Sequence, residues 1–160
     1  MEPITILTSE SERQLELCDQ LEDIADRLPY EVGRSQLSDA INAIMLAHRN
    51  HVFLQEQLLF PVLRINAISS QFTHEILDQA VKEHSIDEDL SHEISDTLSL
   101  SASAHGFENP ELLGYMIRNQ FETQRRHLAW ERIVIFPLVR NTLSAEDASI
   151  LAKEMSSTRY

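Results

Sequence analysis

Apolar residues recur every three or four positions along this chain. No stretch of useful length alternates apolar with polar residues, so the pattern predicts helices and no strands. Residues 1–8 read as an extended lead-in. Ser9 and Glu12 have the spacing of a capping box and open a first helix, with Leu17, Leu21, Ile24 and Leu28 on one face, which Pro29 and Gly33 end. A second helix is predicted from about Ser35 to about Ile65, with the inner stripe Ile41, Ile44, His48, His51, Gln55, Leu58 and Val62. A third opens at Ser69 or Ser70 and carries Ile76, Ala80, His84, Asp87, Ser91, Ile94 and Leu98. Residues 101–109 read as a loop. At Asn109-Pro110-Glu111 the Asn caps a fourth helix, the Pro needs no N–H in the first turn, and the Glu suits the positive end of the dipole. Its stripe is Leu113, Ile117, Gln120, Gln124, His127, Glu131, Val134 and Leu138. Ser144 to Asp147 cap a short last helix ending near Ser156. The expected fold class is all-α: an antiparallel up-down four-helix bundle with a short extra C-terminal helix, one domain over residues 1–160.

The inner stripes are polar at mid-height. Three of the predicted helices carry His there, as His48 and His51, His84, and His127 with Glu131 one turn on. Polar groups buried in a bundle cost several kcal/mol unless partnered, so groups meeting at one level need each other, water or a metal. Imidazole plus carboxylate suits iron, zinc or manganese, with iron favoured where positions stay open for a small ligand. His51 and His127 are also each followed at the same offset by Phe-Pro, at Phe60-Pro61 and Phe136-Pro137. Each helix is expected to end or bend at its Pro.

The net charge of −13 disfavours nucleic acid and anionic membranes as partners, since both need basic patches. A single cysteine, Cys18, excludes an internal disulfide and fits a reducing compartment; its place in a helical pattern makes it a packed residue. No apolar run reaches membrane-spanning length and the first residues lack a signal-peptide layout, so a cytoplasmic protein is expected. His74, His92 and His105 read as solvated, and Trp130 as a packing residue. No residue pattern defines a substrate pocket, so a binder is expected ahead of an enzyme.

The motif order His51…Phe60-Pro61, Glu83-His84, His127-x-x-x-Glu131…Phe136-Pro137 resembles the hemerythrin family in its HHE cation-binding branch, over roughly residues 9–141. The resemblance implies a four-helix bundle around a non-haem di-iron centre bridged by two carboxylates. Members of the family bind or sense O2, handle NO, respond to redox state or help repair iron–sulfur clusters. It puts His51, His84, His127 and Glu131 on ligand positions. Gln55 stands where the first bridging Glu is expected, and no His precedes His48, so the usual helix 1 ligand is missing. Glu12, His48, Glu56, Asp87 and Glu88 are the candidate substitutes. His51, His84, His127 and Glu131 alone still offer three imidazoles and a carboxylate, adequate for one divalent ion. The expected function is an iron-binding protein that binds or senses O2 or NO or reports iron or oxidative stress. The alternative is a metal-free degenerate bundle acting as an interaction module, with room for a protein partner or a homodimer.

Overall fold

A computed structural model describes residues 2–100 and 106–158. Helix α1 (Pro3–Arg27) comes first, and α2 (Arg34–Val52) follows a short turn. The chain then passes without a break through a π-helical segment (Phe53–Leu59) into α3 (Phe60–Asn66), forming one continuous rod. Helices α4 (Gln71–Leu100), α5 (Pro110–Thr142) and α6 (Ala145–Ser157) complete the chain, and no strand occurs among the described residues. Helix α1 packs on α2 and α5, α4 packs on α2 and α5, and α6 closes over α1 and the π segment. The protein is an all-helical bundle. No described helix is long and apolar enough to cross a membrane.

Several sequence expectations change here. Residues 3–8 are the start of α1, not a lead-in: Pro3 takes the first helical turn, and Ile6 and Leu7 are buried. Ser9 therefore lies inside the helix. Neither Pro61 nor Pro137 ends its helix. Pro61 sits just past the π segment, where the Phe60 N–H bonds Gln55 O. The wider i→i+5 turn accommodates a proline ring that would otherwise clash with the preceding turn. Pro137 leaves the Ile133 carbonyl without its helical donor, and Ile133 is on the solvent side, where water can supply one. Of the expected loop, residues 106–109 are non-helical, with Gly106 at φ 87°, and residues 101–105, His105 included, lie outside the described residues. Asn109 Oδ1 accepts the Leu112 N–H at 3.0 Å, the cap expected from sequence, worth about 1 kcal/mol.

The buried residues fall in three layers. One apolar cluster joins Ile6 and Leu7 to Leu59, Leu63, Leu77, Ile135 and Met155. A second joins Cys18 and Leu21 to Ile41, Ile44, Ile94, Ile117 and Phe121. Each fully buried aliphatic side chain contributes about 1.5–3 kcal/mol. Along every long helix a set of buried polar residues lies between the two: Ser11 and Gln14 on α1, His48 and His51 on α2, His84, Asp87 and Ser91 on α4, and Gln124, His127 and Glu131 on α5. The bundle is a polar layer held between two apolar halves.

Candidate metal centre

Three imidazoles meet one carboxylate in that layer. The Nε2 atoms of His51, His127 and His84 lie 3.0, 3.1 and 3.4 Å from Glu131 Oε1. All four residues are buried, and their donor atoms lie within 4.8 Å of one another. α-Helical spacing delivers each of them: His84 on the α4 stripe, His127 and Glu131 one turn apart on α5, and His51 on the last turn of α2. Phe60, from the first Phe-Pro pair, stacks on His84 with ring planes 9° apart and so fixes its orientation.

The outer nitrogens have their own partners. His127 Nδ1 lies 2.6 Å from Asp87 Oδ2, and His84 Nδ1 lies 2.7 Å from Glu56 Oε1. Each carboxylate accepts an N–H, which leaves the Nε2 of a neutral ring as a lone pair facing Glu131. Lone pairs cannot crowd a carboxylate oxygen at hydrogen-bond distance unprotonated. Either the rings carry a second proton or a cation sits among the four groups.

The electrostatics agree. Burial alone would lower the pKa of His127, but the contacts with Asp87 and Glu131 outweigh it and lift it from 6.5 to about 9. Burial likewise opposes the charged form of His84, and Glu131 and Glu56 overcome it, so its pKa is raised. Burial would raise the pKa of Glu131, yet the three imidazoles hold it well below the usual carboxylate range. The shifts of His127 and His84 favour the protonated rings, and that of Glu131 favours the carboxylate.

The buried atoms left over fit a cation. Among the described residues Glu131 Oε2 and Gln55 Oε1 have no hydrogen-bond partner; His51 Nδ1, the nitrogen of that ring not turned to Glu131, has none either and does not bear on the ion. His127 Nε2 lies close to Glu131 Oε1 but is not aligned to bond it. Four donors about 2.1 Å from one ion in a tetrahedral array lie about 3.4 Å apart, so the cluster, now within 4.8 Å, would close on an ion by a contraction of up to about 1.4 Å between its most separated donors. Three imidazole nitrogens and one carboxylate are a transition-metal donor set.

The other candidates are placed differently. Glu56 orients His84 from outside the cluster, and Asp87 does the same for His127. His48 is buried, but its Nε2 donates to the His84 carbonyl at 2.9 Å; burial first, then His51, lowers its pKa to about 4, so it is neutral. Glu12 is exposed on α1. Glu88 is exposed on α4, 3.7 Å from His92. Of the Glu83-His84 pair only His84 enters, because Glu83 accepts from Gln79 on the outer face. His74 is half-buried, its Nδ1 3.3 Å from Arg64. Trp130 packs against the first apolar cluster, as expected. Where a helix 1 ligand would stand, α1 presents neutral Ser11 and Gln14, which the sequence reading missed. Gln14 Oε1 accepts from Gln124 at 2.6 Å, and Gln124 Oε1 from Gln120 at 3.1 Å. The run Leu7, Ser11, Gln14, Cys18, Leu21, spaced four and three, was the available signal.

Comparison with known protein families matches residues 2–139 to the hemerythrin HHE cation binding domain. The chain belongs to the hemerythrin HHE cation-binding family. The match begins at residue 2, in keeping with a first helix that starts at Pro3. Comparison with curated proteins and with solved structures gives no match. Within this family the cluster His51, His84, His127 and Glu131 suits a metal ion.

Proposed function

We propose that residues 1–160 form one cytoplasmic domain that binds a single divalent iron and acts as a non-catalytic binder or sensor of O2 or NO, or of iron and oxidative stress. His51, His84 and His127 hold the ion through Nε2, and Glu131 holds it through its carboxylate. The observation that carries the reading is the meeting of three Nε2 atoms at Glu131 Oε1. Bound iron supplies an open coordination position for a diatomic ligand. The chain supplies the rest: Asp87 and Glu56 fix the tautomers and aim the rings, and the apolar layers exclude water.

One ion is favoured over two by the donor count. Among the described residues Glu131 is the only carboxylate whose oxygen faces the Nε2 atoms, because Asp87 and Glu56 are engaged with Nδ1 atoms and Gln55 is neutral. The up-down antiparallel order of the four long elements is part of the same proposal, with α6 as the extra C-terminal helix. It is supported by the layers, since successive helices cross from one apolar cluster to the other in opposite senses.

Stripped protein reloaded anaerobically with Fe(II) and then exposed to air or NO tests the sensing role. The expected result is a ligand-to-metal absorption band that appears on exposure. Iron that stays bound with an unchanged spectrum under both gases would remove the role.

A second reading, the metal-free interaction module, has one observation in its favour. Glu56 and Asp87 already meet the outer nitrogens of His84 and His127, and Glu131 faces both rings, so protonated rings would satisfy the layer without a metal. It predicts a melting temperature indifferent to chelators, whereas a tightly bound ion raises it.

A further inference from the structure

A cavity of ≈410 Å³ opens between α1, the α2–π rod and α6, and shares no lining residue with the imidazole cluster. That volume is in the range of small-molecule sites. Its inner wall is apolar, with Ile6, Leu54 and Met155 buried. Its rim carries two cations: Arg13 on α1 and Arg49 on α2 both line it, and among the described residues neither guanidinium has a hydrogen-bond or ion-pair partner. Other arginines of this acidic chain are engaged, as Arg118 is with Asp26 and Arg125 with Asp19, each at 2.6 Å.

Glu10 adds the opposite requirement. It lines the same cavity, and its Oε2 is buried with no donor among the described residues. A buried acceptor left unpaired costs the full desolvation of that group, so an occupant that donates to it is favoured over one that cannot. The two guanidinium forks have the geometry that carboxylates pair with. The cavity therefore asks for three things in one molecule: an anionic group, a hydrogen-bond donor and an apolar body.

We propose that this cavity binds a small amphipathic organic acid that also carries a hydroxyl or ammonium group. Its carboxylate pairs with Arg13 and Arg49, its donor meets Glu10 Oε2, and its apolar body lies against Leu54 and Met155. A hydrocarbon leaves the arginines and Glu10 unmet, and an inorganic anion leaves the apolar wall wet.

Isothermal titration of the full chain with L-phenylalanine, 3-phenyllactate, 3-phenylpropionate, phenethylamine and inorganic phosphate tests this. The first two carry all three groups and are expected to bind saturably. The other three are expected to bind about tenfold or more weakly, the loss typical of one charge-assisted hydrogen bond or an apolar body. Arg13→Ala and Arg49→Ala change exposed positions, so the fold should persist, with far-ultraviolet circular dichroism as the check. Each is expected to weaken 3-phenyllactate by about tenfold and to leave phenethylamine unaltered. No saturable binding of either three-group acid, or binding indifferent to both arginine substitutions, overturns the proposal. No metal enters the readout, so this outcome and that of the iron reading are separable.

Discussion

Asp87 and His127 face each other across the α4–α5 interface with Oδ2 and Nδ1 2.6 Å apart, and both side chains are about 1% exposed. The carboxylate fixes which nitrogen of His127 carries the proton and leaves Nε2 for the cluster. Asp87 is therefore a positioning residue. Asp87→Ala is expected to weaken metal binding by about 10–100-fold, the usual effect of losing such an outer partner. Asp87→Asn, which keeps an acceptor oxygen but not the charge, should fall between. Competition against a chromophoric chelator measures both, and equal affinities in all three proteins would reduce the contact to packing.

Glu131 is the anion on which the layer depends. Glu131→Gln is expected to abolish metal retention through dialysis. In stripped protein at pH 7 it removes the anion the rings share and leaves His84 and His127 only Glu56 and Asp87, so stability in urea unfolding is expected to fall by less than the about 3–5 kcal/mol of a fully unpaired buried charge. A stripped variant as stable as the parent would mean that the rings are neutral and the charge pairing described for the layer is wrong.

Gln55 lies one turn from His51, with its Nε2 3.1 Å from His51 Nε2. Gln55→Glu places a second negative charge beside the cluster. It is expected to tighten Fe(II) binding by about tenfold or more, each tenfold being about 1.4 kcal/mol. Unchanged affinity would show that position 55 faces away from the ion.

How much of this could be read from the sequence varies along each helix. On α4 and α5 ordinary α-helical spacing holds, so His84, His127 and Glu131 were legible, as was the polar middle of each stripe. On the second rod the expected stripe holds as far as Gln55, which is buried. Beyond it burial falls on Leu59 and Leu63 and not on the expected Leu58 and Val62, just as on α5 it falls on Ile135 and Val139 and not on the expected Val134 and Leu138. Glu56, one residue beyond Gln55, reaches His84. Nothing in residues 53–59 announces a π turn, apart from Pro61 just beyond it. At the start of the chain two helix-start signals compete, and the capping-box spacing at Ser9 masked the stronger one at Pro3. The cavity was invisible in the sequence because its lining comes from α1, α2, the π segment and α6 together.

Cys18 gives a pH dependence independent of the metal. Burial pushes its thiol up from 9.0 to about 12, with Arg125 opposing and Asp87 and Asp19 reinforcing the shift. Unfolded, the thiol ionises near pH 9; folded, it keeps its proton to about pH 12. Its contribution to stability is therefore present below pH 9 and is lost above it, at about 1.4 kcal/mol per pH unit. Cys18→Ala should flatten the fall in stability between pH 8 and pH 10 relative to the parent, as read from denaturant midpoints. Parallel curves for the two proteins would show that the thiol ionises in place.

The metal content of the purified chain, stripped with chelator and reloaded anaerobically with Fe(II), tests the imidazole–carboxylate cluster most directly. The expected result is one iron per chain, a melting temperature that falls when the iron is stripped and recovers on reloading, and no retained iron in the His127→Ala protein. Iron washed away from the intact chain, with melting indifferent to its removal, would contradict it.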